Sequence, residues 1–107
     1  NEALGVYYLK NGDNQAAVKA FGDTKSNNAA LAQILTKDYS KAKKTIAAIS
    51  APDATTHYIA AVLGARTNNE ALIVNSLKDA IKLDSSLLTK ALKDPEFTNF
   101  NIASKIK

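Results

Sequence analysis

Apolar residues recur at spacings of three and four along most of this chain, and short polar breaks interrupt the pattern. That spacing puts the apolar side chains on one face of a helix, so each run between breaks predicts an amphipathic helix. The breaks are rich in Gly, Asn, Asp, Ser and Thr, which end helices and begin new ones. Alanine, the best helix former, occurs 19 times, against 4 Gly and 2 Pro. The sequence therefore predicts an all-α fold.

The breaks divide the chain into helix–turn–helix units followed by closing helices. The turns inside the units are predicted at Asn11–Asp13, Lys37–Asp38 and Thr67–Asn69. Because a lone hairpin cannot bury its apolar face, we expect the units to stack into a single domain over residues 1–107. Since the chain begins at Asn1 and contains no Met, we expect this domain to be a piece of a longer protein. The predicted segments are units at about 1–26, 27–53 and 54–84, with capping helices at 85–104.

The first unit carries a motif, whose positions are Leu4-Gly5, Tyr8, Gly12-Asp13, Ala17 and Phe21. This motif resembles the tetratricopeptide repeat (TPR), a helical hairpin of about 34 residues. The small residue of the motif recurs at Ala32 and Ala61, at intervals of 27 and 29 residues. The resemblance implies stacked antiparallel hairpins in a TPR-like α-α superhelix, closed by a C-terminal capping helix, with a concave groove that holds peptides.

The same units predict a hydrophobic core. Its members are the apolar residues at the motif positions or on the same helix faces. They are Leu4, Tyr8, Ala17, Phe21, Leu35, Ala42, Ile46, Ala61, Leu77 and Ala80. At the end of the chain, apolar residues of the closing helices should cover the last hairpin, because a repeat array needs a cap over its open face. They are Leu87, Leu88, Leu92 and Phe97.

The sequence offers little for catalysis. The absence of Cys excludes thiol nucleophiles and zinc–thiolate sites, and His57 is the only histidine. It could act as a base or a ligand, but it lacks a second His or a Cys, so we interpret it as a structural or surface residue. Neither a Gly-rich phosphate loop nor a Gly-x-Ser-x-Gly elbow occurs. We therefore predict no enzyme activity, no catalytic residues, no metal site and no cofactor.

The net charge of +4 is evenly distributed, with seven basic and five acidic residues in 1–53 and the same numbers in 54–107. A nucleic-acid-binding protein usually concentrates its basic residues, so we consider nucleic acid an unlikely partner. The one tight cluster, Lys41, Lys43 and Lys44, is interpreted as a solvated helix face. No apolar run is long enough for a membrane span.

The TPR resemblance also implies which residues face the groove. They are Val6, Leu9, Lys10, Gln33, Lys37, Tyr58, Val62 and Arg66. Lys10, Lys37 and Arg66 lie near the ends of the first helices, where stacking would align them into a basic row. Basic residues there also complement the helix dipole, which is a purely structural explanation of the same pattern.

Two functions follow as expectations. The resemblance implies a protein–protein interaction module that binds a peptide or partner segment, possibly an acidic one, in its groove. The alternative is a structural spacer or docking domain of a larger cell-envelope protein, with no groove ligand. More loosely, the chain resembles repeat segments at the ends of some Gram-negative cell-envelope proteins. That resemblance favours the periplasm or cell envelope over the cytoplasm.

Overall fold

The structure is a computed structural model that describes residues 1–106, and it confirms the all-α prediction: helices are present and no strand occurs in that range. The elements fall into hairpins followed by shorter helices. The α-helices are α1 Glu2–Lys10, α2 Asn14–Phe21, α3 Asn27–Leu35, α4 Tyr39–Ala48, α5 Ala54–Arg66, α6 Glu70–Leu83, α7 Leu87–Lys93 and α8 Ala103–Ile106, and a 3₁₀ helix spans Pro95–Phe100.

The three hairpin turns share one backbone design. Each contains a residue with positive φ two positions beyond the first helix: Gly12 (φ 77°), Lys37 (φ 66°) and Asn68 (φ 56°). The amide of the following residue then donates to the carbonyl five residues earlier, over 2.9, 2.9 and 2.8 Å respectively. This bond satisfies a carbonyl that the end of a helix leaves unpaired.

The same turns also begin the second helix of each hairpin. Asp13, Asp38 and Asn69 directly follow the positive-φ residues. Each side chain accepts a hydrogen bond from the backbone N–H three residues further along the chain, at 3.1, 3.2 and 3.1 Å. Side-chain oxygens at this position stabilise helix starts. A single turn structure is therefore used three times.

The shared turn defines which residues are equivalent between hairpins. Counting back seven residues from each positive-φ residue gives Gly5, Ala30 and Ala61. The expected equivalence of Ala32 with Gly5 is therefore wrong, because the positive-φ residues of the turns are 25 and 31 residues apart, whereas the predicted small positions are 27 and 29 apart. The turn of α3–α4 has the same length as the others.

The helices cluster into two compact units. Unit 1 is Asn1–Ser50 and contains α1 to α4, and unit 2 begins at Ala51 and contains α5 to α8. The prediction of a single domain over 1–107 stays a prediction.

Unit 1 is built around the ring of Phe21. Ala17 and Phe21 are buried as predicted, together with Ala29 and Ala32, and Tyr8 is partly buried against them. Gly5 lies directly under the ring, where a Cβ atom would overlap the ring carbons. The absence of a side chain at Gly5 therefore sets the approach of α1 and α2.

Two predicted core residues of unit 1 are exposed instead. Leu4 is 44% exposed, because it precedes the buried Gly5 and its side chain points about 100° away around the helix. Leu35 is 37% exposed, because it is the last residue of α3, at the place that Lys10 has in α1. Ala42 is buried as predicted, and Ile46 is half-buried.

Unit 2 is built around the close pair α5 and α6. Ala61, Leu77 and Ala80 are buried as predicted. By the correspondence of the turns Gly64 takes the place of Tyr8 in α1, and a Cβ atom there would lie 3.0 Å from both Cγ1 and N of Ile73. Gly64 thus lets the backbones of the two helices approach each other.

The closing helices pack on this hairpin: α7 and α8 contact α6, and the 3₁₀ helix contacts α5. Phe97 is buried as predicted, and Leu87 and Leu88 are half-buried. Leu92 is 41% exposed, so its predicted role is wrong. The neighbouring Ala91 takes the buried position, since adjacent residues of a helix point about 100° apart. Two further residues, Ile102 and Ile106, are buried in this part of unit 2.

Candidate functional site

The predicted groove residues of unit 1 divide into accessible and inaccessible ones. Lys10 and Lys37 are exposed, and Val6 and Leu9 are half-buried against the core of unit 1. Gln33 is buried, with its Oε1 unpaired, so its predicted accessibility is wrong. It lies four residues before the positive-φ Lys37, where α1 has the partly buried Tyr8.

The predicted basic row also needs correction. Lys37 lies in the turn, whereas Lys10 and Arg66 end their helices. The residue equivalent to Lys10 and Arg66 is Leu35. Two of the three equivalent places are therefore basic, and the third is apolar.

In unit 2 the predicted residues lie on one face of α5, at intervals of four. Tyr58 and Val62 are buried, and Arg66 ends the helix. The prediction that the Tyr58 ring is accessible is wrong, because residues of the same unit cover it. The covering residues are Asp94–Phe97, which we call the acidic segment.

The acidic segment contacts Tyr58 through a hydrogen bond and a ring. The hydroxyl of Tyr58 donates to Oδ2 of Asp94 over 2.6 Å. The rings of Tyr58 and Phe97 meet edge to face, with centroids 5.7 Å apart and planes at 75°. That arrangement is a favourable one for aromatic pairs. Nζ of Lys90 lies 4.9 Å from the centroid of the Tyr58 ring, within the range of a cation–π contact.

Two turns further along α5, Arg66 holds the second carboxylate of the segment. Its Nε donates to Oε1 of Glu96 over 2.9 Å, and its NH2 group donates to Oε2 over 2.6 Å. Such a pair of parallel hydrogen bonds fixes the direction of the carboxylate as well as its distance. The two side chains remain 33% and 26% exposed, so the ion pair is at the surface.

Local chemistry explains the shape of the acidic segment. Oδ1 of Asp94 accepts a hydrogen bond from the backbone N–H of Glu96 over 2.9 Å and so begins the 3₁₀ helix. Pro95 suits this position because it lacks the N–H that a helix start leaves unpaired. Asp94 thus uses one oxygen for its own segment and the other for Tyr58.

The same surroundings change the acidity of the phenol. Burial raises the pKa of Tyr58 well above its ordinary value of 10.0, and the hydrogen bond to Asp94 and the charges of Asp94 and Glu96 raise it further. The hydroxyl is therefore protonated at neutral pH and acts as the donor to Asp94.

A cleft lies in unit 1, beside the start of α4. It has a volume of about 400 Å³ and is lined by Lys25, Lys41, Lys44 and four other residues, among them Asp23 and Asp38. Nζ of Lys41 is 4.0 Å from Oδ1 of Asp23. The two aspartates offset most of the lysine charge, so this cleft offers little net attraction for an anion.

Among the residues that the structure describes, neither a metal-binding cluster nor a membrane-spanning helix is found. His57 is half-buried on α5. In positions 1–106, no three His, Cys, Asp or Glu side chains gather in a way that could hold a metal ion. No helix in that part of the chain is both long and apolar enough to cross a bilayer.

Sequence reasoning missed the role of the acidic segment. It placed capping helices at 85–104 and Phe97 over the last hairpin, but it predicted no contact of Asp94 or Glu96 with α5. The available signal was the combination of two carboxylates and a phenylalanine within four residues of an otherwise basic chain. The contacts themselves join residues 30 and 36 positions apart, which no local pattern reveals.

Searches with this chain find no match among protein-family models, curated proteins or solved structures.

Proposed function

We propose that this chain is a non-catalytic, TPR-like helical-repeat module. It binds an acidic segment of a partner protein on the first helix of its hairpins. The observation that carries the proposal is the contact in unit 2. There, α5 holds two carboxylates and an aromatic ring of a protein segment through Tyr58 and Arg66. A helix face that binds such a segment within the chain has the chemistry to bind one from another protein.

The repeated turn supports the TPR-like part of the proposal. A residue with positive φ, followed by the same backbone hydrogen bond and the same type of helix start, occurs at three places, at intervals of 25 and 31 residues. Repeat proteins arise when one supersecondary unit recurs and neighbouring units cover each other. Both intervals are shorter than the TPR period of about 34 residues.

The turn correspondence makes α1 the exposed counterpart of α5. Val6 and Lys10 occupy the places of Val62 and Arg66, and Lys10 is exposed. The place of Tyr58 is taken by Glu2, which accepts hydrogen bonds from Ser26 and Asn28. We therefore expect α1 to bind a carboxylate through Lys10 without the hydroxyl contact, and with modest affinity.

The test uses a fluorescent peptide of sequence Lys-Asp-Pro-Glu-Phe-Thr-Asn-Phe and its Asn/Gln analogue, which lacks both carboxylates. The protein variant is Lys10→Glu with Lys37→Glu, which reverses the charge of the exposed lysine on α1 and of the exposed lysine in the turn between α3 and α4. We expect weaker binding of the acidic peptide, by about 0–1 kcal/mol for each exposed contact, and a decrease with salt. The measurement is fluorescence anisotropy at two ionic strengths.

The matched control is Lys41→Glu with Lys44→Glu, which makes the same charge change on α4 of the same unit. It should affect binding much less. If the control pair matters more, or if the analogue binds as well as the acidic peptide, the assignment to the first helices is wrong.

One observation favours a second candidate function, the structural spacer or docking domain without a groove ligand. Tyr58 and Val62 are already buried by residues of the same unit, so this part of α5 is closed. The spacer function predicts that no acidic peptide binds to the protein or to variants whose acidic segment is weakened. The loose resemblance to cell-envelope proteins would place such a spacer in the envelope.

A further inference from the structure

We infer that the acidic segment is an internal competitor: it occupies a binding site on α5 that takes a partner segment of the same chemistry. That chemistry is a carboxylate, a second carboxylate two residues later and an aromatic residue directly after it. The inference rests on the proposed function and adds to it the ligand class and the regulation of the α5 site.

The acidic segment contacts α5 through two polar side chains as well as through a buried ring. Asp94 and Glu96 make hydrogen bonds to Tyr58 and Arg66, and the ring of Phe97, which is 2% exposed, packs against Tyr58. The Arg66–Glu96 pair is partly exposed, so water and salt compete with it. The interior of the α5–α6 hairpin, which includes Ile73, Leu77 and Ala80, does not depend on these polar contacts.

The backbone changes conformation at both ends of the segment's 3₁₀ helix. Asp94 is extended, with φ −77° and ψ 122°, and it separates α7 from the 3₁₀ helix. Asn101 has positive φ, 47°, and separates the 3₁₀ helix from α8. The helical hydrogen bonds of α7 therefore do not continue through the segment, so its release from α5 would not by itself break them.

The end of the chain has an anchor of its own. Nζ of Lys105 on α8 donates to Oε1 of Glu70 at the start of α6. Residues on both sides of the acidic segment are thus attached to α6, α7 by packing and α8 by packing and this ion pair. Release of Asp94–Phe97 does not require that the whole C-terminal part detaches.

The site selects its ligand through direction and charge. The Tyr58 hydroxyl is a fixed hydrogen-bond donor. The Arg66 guanidinium donates two parallel hydrogen bonds, so it binds a carboxylate best when both carboxylate oxygens face its N–H groups. Lys90 adds positive charge above the Tyr58 ring. A peptide that lacks either carboxylate loses one of these contacts, so both should be required.

The experiment uses the full chain and the fluorescent peptide Lys-Asp-Pro-Glu-Phe-Thr-Asn-Phe. In Glu96→Gln the internal segment loses its ion pair with Arg66. The free peptide should therefore bind this variant about two- to fivefold more tightly than the unaltered chain, the range that a surface ion pair permits. Asp94→Asn should act in the same direction, since Asn also begins helices well and the fold is retained.

Two further variants identify the site. Adding Arg66→Gln to Glu96→Gln should abolish the gain, because the peptide then lacks its guanidinium partner. Asp79→Asn removes one exposed carboxylate from α6 of the same unit and should leave the affinity unchanged. Circular dichroism of each variant establishes that it is folded.

The outcomes separate this inference from the proposed function. Equal affinity of the peptide for the unaltered chain and for Glu96→Gln would overturn the inference that the acidic segment is a competitor. An equal increase of affinity in Asp79→Asn would overturn it as well. Binding that depends on Lys10 and Lys37 but not on Arg66 would support the proposed function and would overturn the inference about the α5 site. Absence of binding in every variant would overturn both. If the unaltered chain forms a dimer that requires Arg66 and Glu96, the ligand of the site is a second copy of this chain, and the inference of a different partner protein is wrong.

Discussion

The ring of Phe21 lies on the backbone of Gly5, and this contact allows α1 and α2 to approach closely. A Cβ atom at residue 5 would overlap the ring, which is itself buried. Glycine in the middle of a helix costs about 0.5–1 kcal/mol relative to alanine, so its presence requires such a packing reason. At residue 5 the close contact outweighs helix propensity.

We expect Gly5→Ala to destabilise the protein by about 1–3 kcal/mol, the usual cost of overpacking a core. An exposed helix position would show the opposite sign, since alanine is the better helix former. Urea denaturation of the single variant and of Gly5→Ala with Phe21→Leu tests the cause. If the smaller side chain at residue 21 does not reduce the cost, the overlap with the ring is not the reason.

The sequence predicted the burial of only some of the residues that pack in the two units. The small position at Gly5 and the buried Phe21 followed from the motif. The burial of Tyr58 did not, because it depends on Asp94 and Phe97, whose positions only the folded chain reveals. The exposure of Leu4 was missed because a spacing of three or four identifies a helix face but does not fix its centre.

At the level of elements, the hairpin turns are the most regular feature of the chain. Glycine occupies the positive-φ place of the first turn, asparagine that of the third and Lys37 that of the second. Asparagine tolerates this conformation better than other residues with a side chain, whereas for lysine it is unfavourable. The backbone of the second turn is therefore strained at Lys37, and a glycine at this position would relieve the strain.

We expect Lys37→Gly to stabilise the protein by about 0.5–1 kcal/mol, less than the full cost of the positive-φ conformation because glycine makes the unfolded chain more flexible. Asn68→Gly should bring a smaller gain. The control is Lys43→Gly inside α4, which should destabilise by about 1 kcal/mol. Thermal denaturation of the three variants measures this order, and a loss of stability in Lys37→Gly would contradict the argument.

Elements were more predictable than the contacts between them. The turns at 11–13, 37–38 and 67–69 were readable because Asp and Asn at helix starts act locally. The presence of closing helices within 85–104 was readable as well. The contact of the 3₁₀ helix with α5 was not, since it joins distant residues through individual side-chain bonds.

For the whole molecule, the open question is cooperativity. The chain divides into two compact units, yet the repeat pattern predicts a single domain over 1–107. Neighbouring repeats usually stabilise each other, so we expect one unfolding transition with no populated intermediate.

The test is Phe21→Ala, which removes a buried ring from unit 1 and should cost about 3–5 kcal/mol. In a single cooperative domain, hydrogen exchange of the α6 amides in unit 2 should accelerate as well. Circular dichroism should still show one transition at a lower midpoint. If α6 keeps its protection while α1 and α2 lose theirs, the two units fold independently.

The hydrogen bond between Tyr58 and Asp94 also gives the molecule an optical signal. The chain contains four tyrosines and no tryptophan, so its ultraviolet emission comes from tyrosine alone. A phenol bonded to a carboxylate transfers its proton readily in the excited state, and its emission is quenched. Asp94→Asn removes the carboxylate acceptor, so emission of this variant should be brighter than that of the unaltered chain. Binding of the acidic peptide to Asp94→Asn should quench the emission again, because the Asp of the peptide supplies a new acceptor. Occupancy of the α5 site in this variant can thus be followed without any attached dye.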